Sequence, residues 1–482
     1  MDIYKCPKTN IPTLVLKKEN IQYFQFAGLI IMEILIKLLM IFQYIIHNIY
    51  NDNNYQFRIG FYYTFYKIII CYIIVKNINN ICMWLYYIFL LVIIILIIIY
   101  GYIKVKFRFW SIQPVFHFYD FYWYIFPCGI ISQELPEKNK YCNFKNINVK
   151  KFEDVKDFQM SRIVRFIQNN YLQNKENKYL PNKENIIPYF TSHNSSSFIS
   201  IYTKKEIKEG NNDERIMDDK IISVMTSRPL HVFINNGDKN AFFDVYYVDY
   251  LCVDKNNRKK GIAPEIIQTH EYTQRLINKN IKVSLFKRED ELTGIVPLCV
   301  YKTYGFEMKN WKNPPTLPIK FSLIEIGKEN LYHLTDFINI VHNSKKFDIL
   351  IMMEISNLQE LIKTQNIYCY IIIEDGEIIC AYFFKKSCTF IRNKVEALVC
   401  FASINCSNNL DVFVEGYKIA LFEIYKKQKD YQFAVIENIS NNNEIILNIM
   451  KKTKPSIISP TAFFFYNFAY SVFKPERTLI IY

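Results

Sequence analysis

DYLCVDKNNRKKGIAPEII, residues 249–267, is the end of an apolar strand that runs into a basic loop and out into a helix. The strand belongs to FFDVYYVDYLCV (242–253), and the helical spacing belongs to PEIIQTHEYTQRLI (264–277), with Pro264 in the first turn, where a missing N–H does no harm. Between them stand Arg258, Lys259, Lys260, Gly261, Ile262 and Ala263. Glycine and alanine let backbone approach a ligand closely, and the unpaired N–H groups of a helix start bind a pyrophosphate oxygen. The three basic residues add charge to such a cradle. Taken alone, R-x-x-G-x-A also fits a solvated charged loop ahead of a helix; the strand-to-helix setting is what a phosphate site requires.

Outward from this loop the chain reads as mixed α/β. IISVMTSRPLHVFI (221–234) has strand character, Asn235-Asn236-Gly237-Asp238 supplies a turn, and 242–253 completes a hairpin. A coarser version returns later. YCYIIIEDGEIICAYFFKK (368–386) is strand, turn, strand, and VEALVCFASINC (395–406) is another strand. LDVFVEGYKIALFEIYKKQ (410–428) is helical and YQFAVIEN (431–438) is a strand again. The repeat predicts two similar halves, 104–310 and 311–482, joined near the proline-containing WKNPPTLPIK (311–320). Residues 157–178 hold one helical stretch, and EIKEGNNDERIMD (206–218) reads as an exposed loop.

Residues 1–103 read as a membrane-anchoring region of one to three hydrophobic helices. ICMWLYYIFLLVIIILIIIYGYI (81–103) carries no charge, and as a helix it spans roughly 30 Å of hydrocarbon. Trp84, Tyr86 and Tyr87 mark one interface, Tyr100 and Tyr102 the other. Residues 24–46 are apolar apart from Glu33 and Lys37, an i,i+4 pair; residues 61–75 are short and carry Lys67, leaving a tilted span, a re-entrant segment or an interfacial helix open. Lys104, Lys106 and Arg108 follow directly, which places the downstream body on the cytoplasmic side.

Composition narrows the classes. The 482 residues carry 59 Lys+Arg against 45 Asp+Glu and are 51% hydrophobic, so the chain is neither a charged disordered segment nor a small stapled module. The net charge of +14 admits an acidic partner, but the basic residues are scattered rather than gathered into an arm, which argues against nucleic acid. The twelve cysteines form no C-x-x-C and the seven histidines no H-x-x-x-H, so no metal site is expected and free thiols facing the cytosol are.

The 249–267 segment resembles the acyl-CoA-binding motif of the GNAT superfamily, R/Q-x-x-G-x-G/A. The wider sequence is similar to the two-lobed N-myristoyltransferase family. There a strand reading roughly N-F-L-C-V runs into a basic loop ending in A-P; here the residues are Asp249-Tyr250-Leu251-Cys252-Val253 and Ala263-Pro264. The family's Phe-Trp pair ahead of Gln-Pro-Val is matched by Phe109-Trp110-Ser111-Ile112-Gln113-Pro114-Val115. The resemblance covers about residues 104–482 and implies a two-lobed GNAT-like acyltransferase fold preceded by transmembrane helices. It further implies acyl-CoA, myristoyl-CoA or acetyl-CoA, as co-substrate, and a protein or peptide amine as acceptor. By the same resemblance, backbone N–H groups of Tyr250 and Leu251 form an oxyanion hole. Val253 and Arg258 to Ala263 hold CoA, Phe107, Arg108, Phe109 and Trp110 cover CoA or the acyl chain, and the terminal carboxylate of Tyr482 takes the proton of the amine.

The chemistry is coherent, since an α-amino group near pKa 8 needs only modest help from a carboxylate and backbone donors stabilise the developing oxyanion. Three features depart from the family pattern: Asp249 stands at an asparagine position, as an additional base or as the mark of a different acceptor; Gly261 restores the general GNAT pattern; and ERTLIIY replaces the usual terminus. TGIVPLCVYKTYGF (293–306) has the placement of an acceptor segment. The leading reading is a membrane-tethered acyltransferase, with a protein N-terminal glycine as the acceptor the resemblance implies and membrane lipid as a partner. The alternatives are a GNAT N-acetyltransferase of a protein or small amine, and a non-catalytic membrane-anchored protein that retains the fold. Cys252 reads as packed rather than nucleophilic, His117 as an acid or base or as a structural hydrogen bonder, FFFYNFAY (463–470) as a core strand, and Glu437-Asn438 as near the cleft or as a cap.

Overall fold

The computed structural model describes residues 84, 86–126, 129–172, 177–209, 215–236, 239–289, 294–309, 311–314, 316–392 and 395–482. The chain divides into two compact units, 1–98 and 99–482. Among the described residues one helix, Tyr86–Lys106, is long and apolar enough to cross a membrane, and nearly all its side chains are exposed. The stretches 24–46 and 61–75 lie outside the described residues.

The second unit is built on one twisted, largely antiparallel sheet. Its central strands are β1 (Arg215–Asn236), β2 (Lys239–Val253), β3 (Val283–Glu289), β4 (Cys299–Glu307), β5 (Ile349–Met352), β6 (Glu377–Ile391), β7 (Val395–Asn405), β8 (Tyr431–Glu437), β9 (Ile457–Tyr466) and β10 (Thr478–Ile481). Their spatial order is β10, β5, β1, β2, β3, β9, β4, β8, β7, β6, continued by Ile367–Glu374 and Phe321–Glu325. The hairpin–helix–strand order seen in the sequence occurs twice. β1 and β2 lead through helix Ile262–Ile277 to β3, which lies parallel to β2; β6 and β7 lead through helix Leu410–Lys427 to β8, parallel to β7. The stretches on either side of residue 311 exchange strands: β9 inserts between β3 and β4, and β5 and β10 extend the sheet beyond β1.

Apolar side chains cover both faces. One core gathers Leu230, Val245, Leu285, Phe401, Phe463 and Tyr482; another packs Tyr382, Phe384 and Ile436 against helix Leu410–Lys427. That helix approaches the sheet at Gly416, where an added Cβ would lie 2.3 Å from Ile372 Cδ1. FFFYNFAY is core strand, as its composition indicates.

The 206–218 segment corrects the sequence reading. Strand Phe198–Glu209 pairs with Arg215 onward, Lys204 opposite Lys220 and Glu209 opposite Arg215, so most of the expected loop is a two-stranded ribbon. Backbone pairing and contacts such as Lys220 to Glu206 (3.0 Å) hold it, and hydrophobic alternation carries no trace of either.

Candidate active site

Two irregularities in the sheet make the site. Tyr250 has φ +48°, and the β1–β2 register slips between Val224 and Thr226, so β2 bulges at this residue. β2 and β3 pair only from Val245–Val248 to Val283–Phe286; beyond that row both strands continue unpaired with each other. The result is a V-shaped opening with Asp249, Tyr250 and Leu251 on one arm and Lys287 to Glu289 on the other. Tyr247 and Leu285 face one core together, and alternation carries Asp249 and Lys287 toward that same side.

At the far end of the β2 arm lies a cleft of about 610 Å³. Its walls are Asn170 to Leu172, Leu251 to Val253, and the loop Asn257, Arg258, Lys259 and Gly261 to Pro264. Lys259 (φ +65°) and Gly261 (φ +81°) turn the loop, and Gly261 caps helix Ile262–Ile277 without any side-chain cap. The first N–H groups of that helix have no intrahelical acceptor, so they stand free at the cleft wall. Arg258 is tied to Val253 O (3.2 Å) and Asn170 O (2.8 Å), which clamps the loop to the end of helix Asp157–Asn170; Lys259 and Lys260 are exposed. The helix itself is held to the sheet by His270, which bonds Ser200 (2.7 Å) and Ser227 (2.9 Å); burial pushes its imidazole down to about 4, so it packs neutral.

Gly261→Ala tests the loop. An added Cβ meets no atom within 4 Å, so its cost is the left-handed backbone, about 1–2 kcal/mol. A CoA titration is expected to show affinity weakened by about tenfold, with only a small loss of melting temperature.

At the bulge the N–H of Tyr250 donates to Asp249 Oδ1 (2.9 Å). Burial pushes the Asp249 carboxyl above the usual carboxylate range, against the opposing pull of Arg228, of this N–H, and of Lys385 and Lys287. The Tyr250 ring packs among Tyr171, Tyr179 and Phe190, with its hydroxyl 3.0 Å from that of Tyr179.

Beyond Asp249 lies a charged cluster that the sequence reading left out apart from Glu437, Tyr301 and Tyr482. Lys287 donates to Glu437 (2.9 Å) and to the Tyr482 hydroxyl (3.0 Å); Tyr301 and Tyr482 also donate to Glu437. Lys385 stands 4.0 Å from Glu437 and 3.7 Å from the centre of the Tyr482 ring. Tyr482 is buried, with its ring 5.2 Å from Tyr247 on β2. A partial signal for Lys287, Lys385 and Arg228 was available: the two lysines directly follow the apolar runs LF and AYFF, and Arg228 lies within the long strand VMTSRPLHV, where a charge is rarely buried without a purpose.

The structure therefore gathers Val253, Arg258, Lys259, Gly261, Ile262 and Ala263 at one cleft, with Lys260 in the same loop, and Asp249, Tyr250 and Leu251 at its inner end. Phe107 to Trp110 are not among the cleft's walls. Phe109 is buried between Trp110 and Tyr141, and Trp110 stacks on Phe286 of β3 (5.7 Å). His117 is buried against the Tyr119 ring (4.8 Å), and burial lowers its imidazole. Cys252 is buried and its thiol is pushed up to about 12, which fits packing rather than attack. Among the described residues no group of three or more His, Cys, Asp or Glu is placed to hold a metal ion.

No protein-family model and no curated protein sequence matches the chain. Solved structures do. Saccharomyces cerevisiae N-myristoyltransferase with bound myristoyl-CoA superposes with a TM-score of 0.58 at 14% identity, over 76% of this chain and 94% of that one. A second structure of the yeast enzyme with myristoyl-CoA gives 0.57 at 14% identity, over 77% and 90%. At this identity the likeness is one of fold: the chain has a mixed α/β fold that resembles that of the yeast enzyme.

Proposed function

We propose that this chain is a membrane-tethered acyltransferase that moves an acyl group from acyl-CoA to an amine. The observation that carries the reading is that β2 walls the cleft with Leu251 to Val253 and, directly before them in the chain, bulges at Tyr250 where its pairing with β3 has ended. The loop N–H groups, with Lys259 and Lys260, bind the CoA phosphates. Leu251 to Val253 guide the thioester along β2, and the N–H groups at Tyr250 and Leu251 receive its carbonyl oxygen as charge develops there. For Tyr250 to do so, Asp249 must release its N–H, and the freed carboxylate is then available to take the proton of the attacking amine.

Helix Tyr86–Lys106 supplies the tether. An exposed aromatic run, Phe121, Tyr122, Tyr124 and Phe126, follows it, and Tyr119 at its start touches Tyr100 of the helix (5.6 Å); such rings suit a lipid interface. Lys104, Lys106 and Arg108 favour the cytoplasmic face.

Mass spectrometry after incubation with equimolar acetyl-CoA and myristoyl-CoA, a glycine-initiated peptide and a lysine-containing peptide tests the reading. A myristoyl gain on the glycine amine is the expected result. Acetyl transfer alone would assign the general N-acetyltransferase activity that Gly261 in R-x-x-G-x-A suits. Absence of transfer from either donor would leave a non-catalytic protein with this fold.

A further inference from the structure

The inner end of the opening holds a buried guanidinium whose donors the chain leaves idle. Arg228 on β1 is opposite Tyr247 and two rows from Thr226, the partner of Asp249, so it stands on the same face beside the bulge. It is 1% exposed, held between the rings of Tyr189 (5.1 Å) and Tyr247 (5.2 Å), and its Nε and Nη1 have no hydrogen-bond partner. Lys287 and Lys385 stand near it with side chains 16% and 18% exposed, so solvent reaches them, whereas Glu437 is 2% exposed. Glu437 is already engaged by Lys287, Tyr301 and Tyr482, and Asp249 by the N–H of Tyr250. Both buried carboxylates are thus committed to other donors, and Glu289, exposed at the strand end, adds its charge to Lys287 rather than to the guanidinium.

A buried guanidinium with two idle donors is costly, and the cost falls when an anion completes its fork. An amine that brings its own carboxylate supplies that anion, whereas an amine without one leaves both donors idle. We infer that the acceptor is an amine bearing a carboxylate group, held at its acid end by Arg228 and Lys385. This rests on the acyltransferase reading. Burial above all, with Lys287 and Arg228, pushes Lys385 down to about 7 against the pull of Glu437 and Asp249. A bound carboxylate adds to that pull.

The test is equilibrium binding of product pairs to the full chain in lipid nanodiscs: N-myristoylglycine against N-myristoylglycinamide, and N-acetylglycine against N-acetylglycinamide. The acid is expected to bind at least tenfold more tightly than the amide in the pair that fits, with the preference lost in Arg228→Met. Where that variant does not fold, Lys385→Met, at a partly exposed side chain, is expected to reduce the preference. Equal binding of acid and amide, binding of neither, or a preference that survives both substitutions overturns the inference. A CoA titration of the same sample separates the two claims. Failure to bind CoA removes the acyltransferase reading, while CoA binding without an acid preference removes only the inference about the acceptor.

Discussion

Asp249→Asn is expected to lower acyl transfer by about 10²–10⁴-fold, the range for loss of a positioned proton acceptor, while leaving CoA affinity and melting temperature near those of the unsubstituted chain. Asparagine keeps an Oδ1 able to accept the Tyr250 N–H, so the bulge keeps its geometry. It cannot take a proton from the amine. Asp249→Ala separates two roles, because it removes the base and at the same time frees the Tyr250 N–H for the thioester oxygen. If Asp249 serves chiefly as a plug on that N–H, the alanine variant gains rate while the asparagine variant stays near its starting value. If it serves as the base, both fall. In the unsubstituted chain, the rate rises with pH as the carboxyl deprotonates, and burial shifts that rise above the ordinary carboxylate range. The asparagine variant loses this limb. An unchanged rate and an unchanged limb would hand the proton to the Tyr482 carboxylate.

Much of this was legible before any coordinates. The strand–loop–helix of 242–277 carries local signals at every step: aromatic strand residues, a glycine held at φ +81°, and a proline placed in the first helical turn. Local signals survive because they need no partner elsewhere in the chain. The charged cluster is a different kind of feature. Arg228, Lys287, Lys385 and Glu437 come from four strands that the sheet order alone brings together, and β9 reaches β3 only by inserting between strands far earlier in the chain. Nothing in the spacing of SLFKRE reveals that its lysine meets a glutamate 150 residues on. The aromatic segment Phe107–Trp110 is placed by a contact distant in the chain. Its motif has the right residues, but Trp110 finds its stacking partner on β3, away from the cleft walls. The paired stretches 204–209 and 215–220, KKEIKE and RIMDDK, are rich in charge and show no strict hydrophobic alternation, so pattern reading passes over them.

The largest stability effect is expected at Glu437. Its carboxylate is 2% exposed and accepts from Lys287, Tyr301 and Tyr482, with Lys385 4.0 Å away. Burial alone would raise this carboxyl; Lys287, then Lys385, and the hydrogen bonds from Tyr301 and Lys287 more than offset that, holding it below its usual 4.5. Glu437→Gln keeps the shape and the hydroxyl contacts but leaves Lys287 without a counter-charge, an arrangement that costs about 3–5 kcal/mol for a buried pair broken on one side. Urea unfolding is expected to show that loss, and Glu437→Gln with Lys287→Met is expected to recover part of it, since the orphaned cation is removed as well. The pH dependence fixes the sign. A carboxyl depressed in the folded chain contributes fully above its unfolded value near 4.5, and the contribution is lost as pH falls through the lower folded value. Acid unfolding of the native chain is therefore expected to steepen below the ordinary carboxylate range. The gap in stability between it and the glutamine variant should close over that same acid window; a gap that stays constant down to the acid limit would mean that packing, rather than charge, holds these strands together at Glu437.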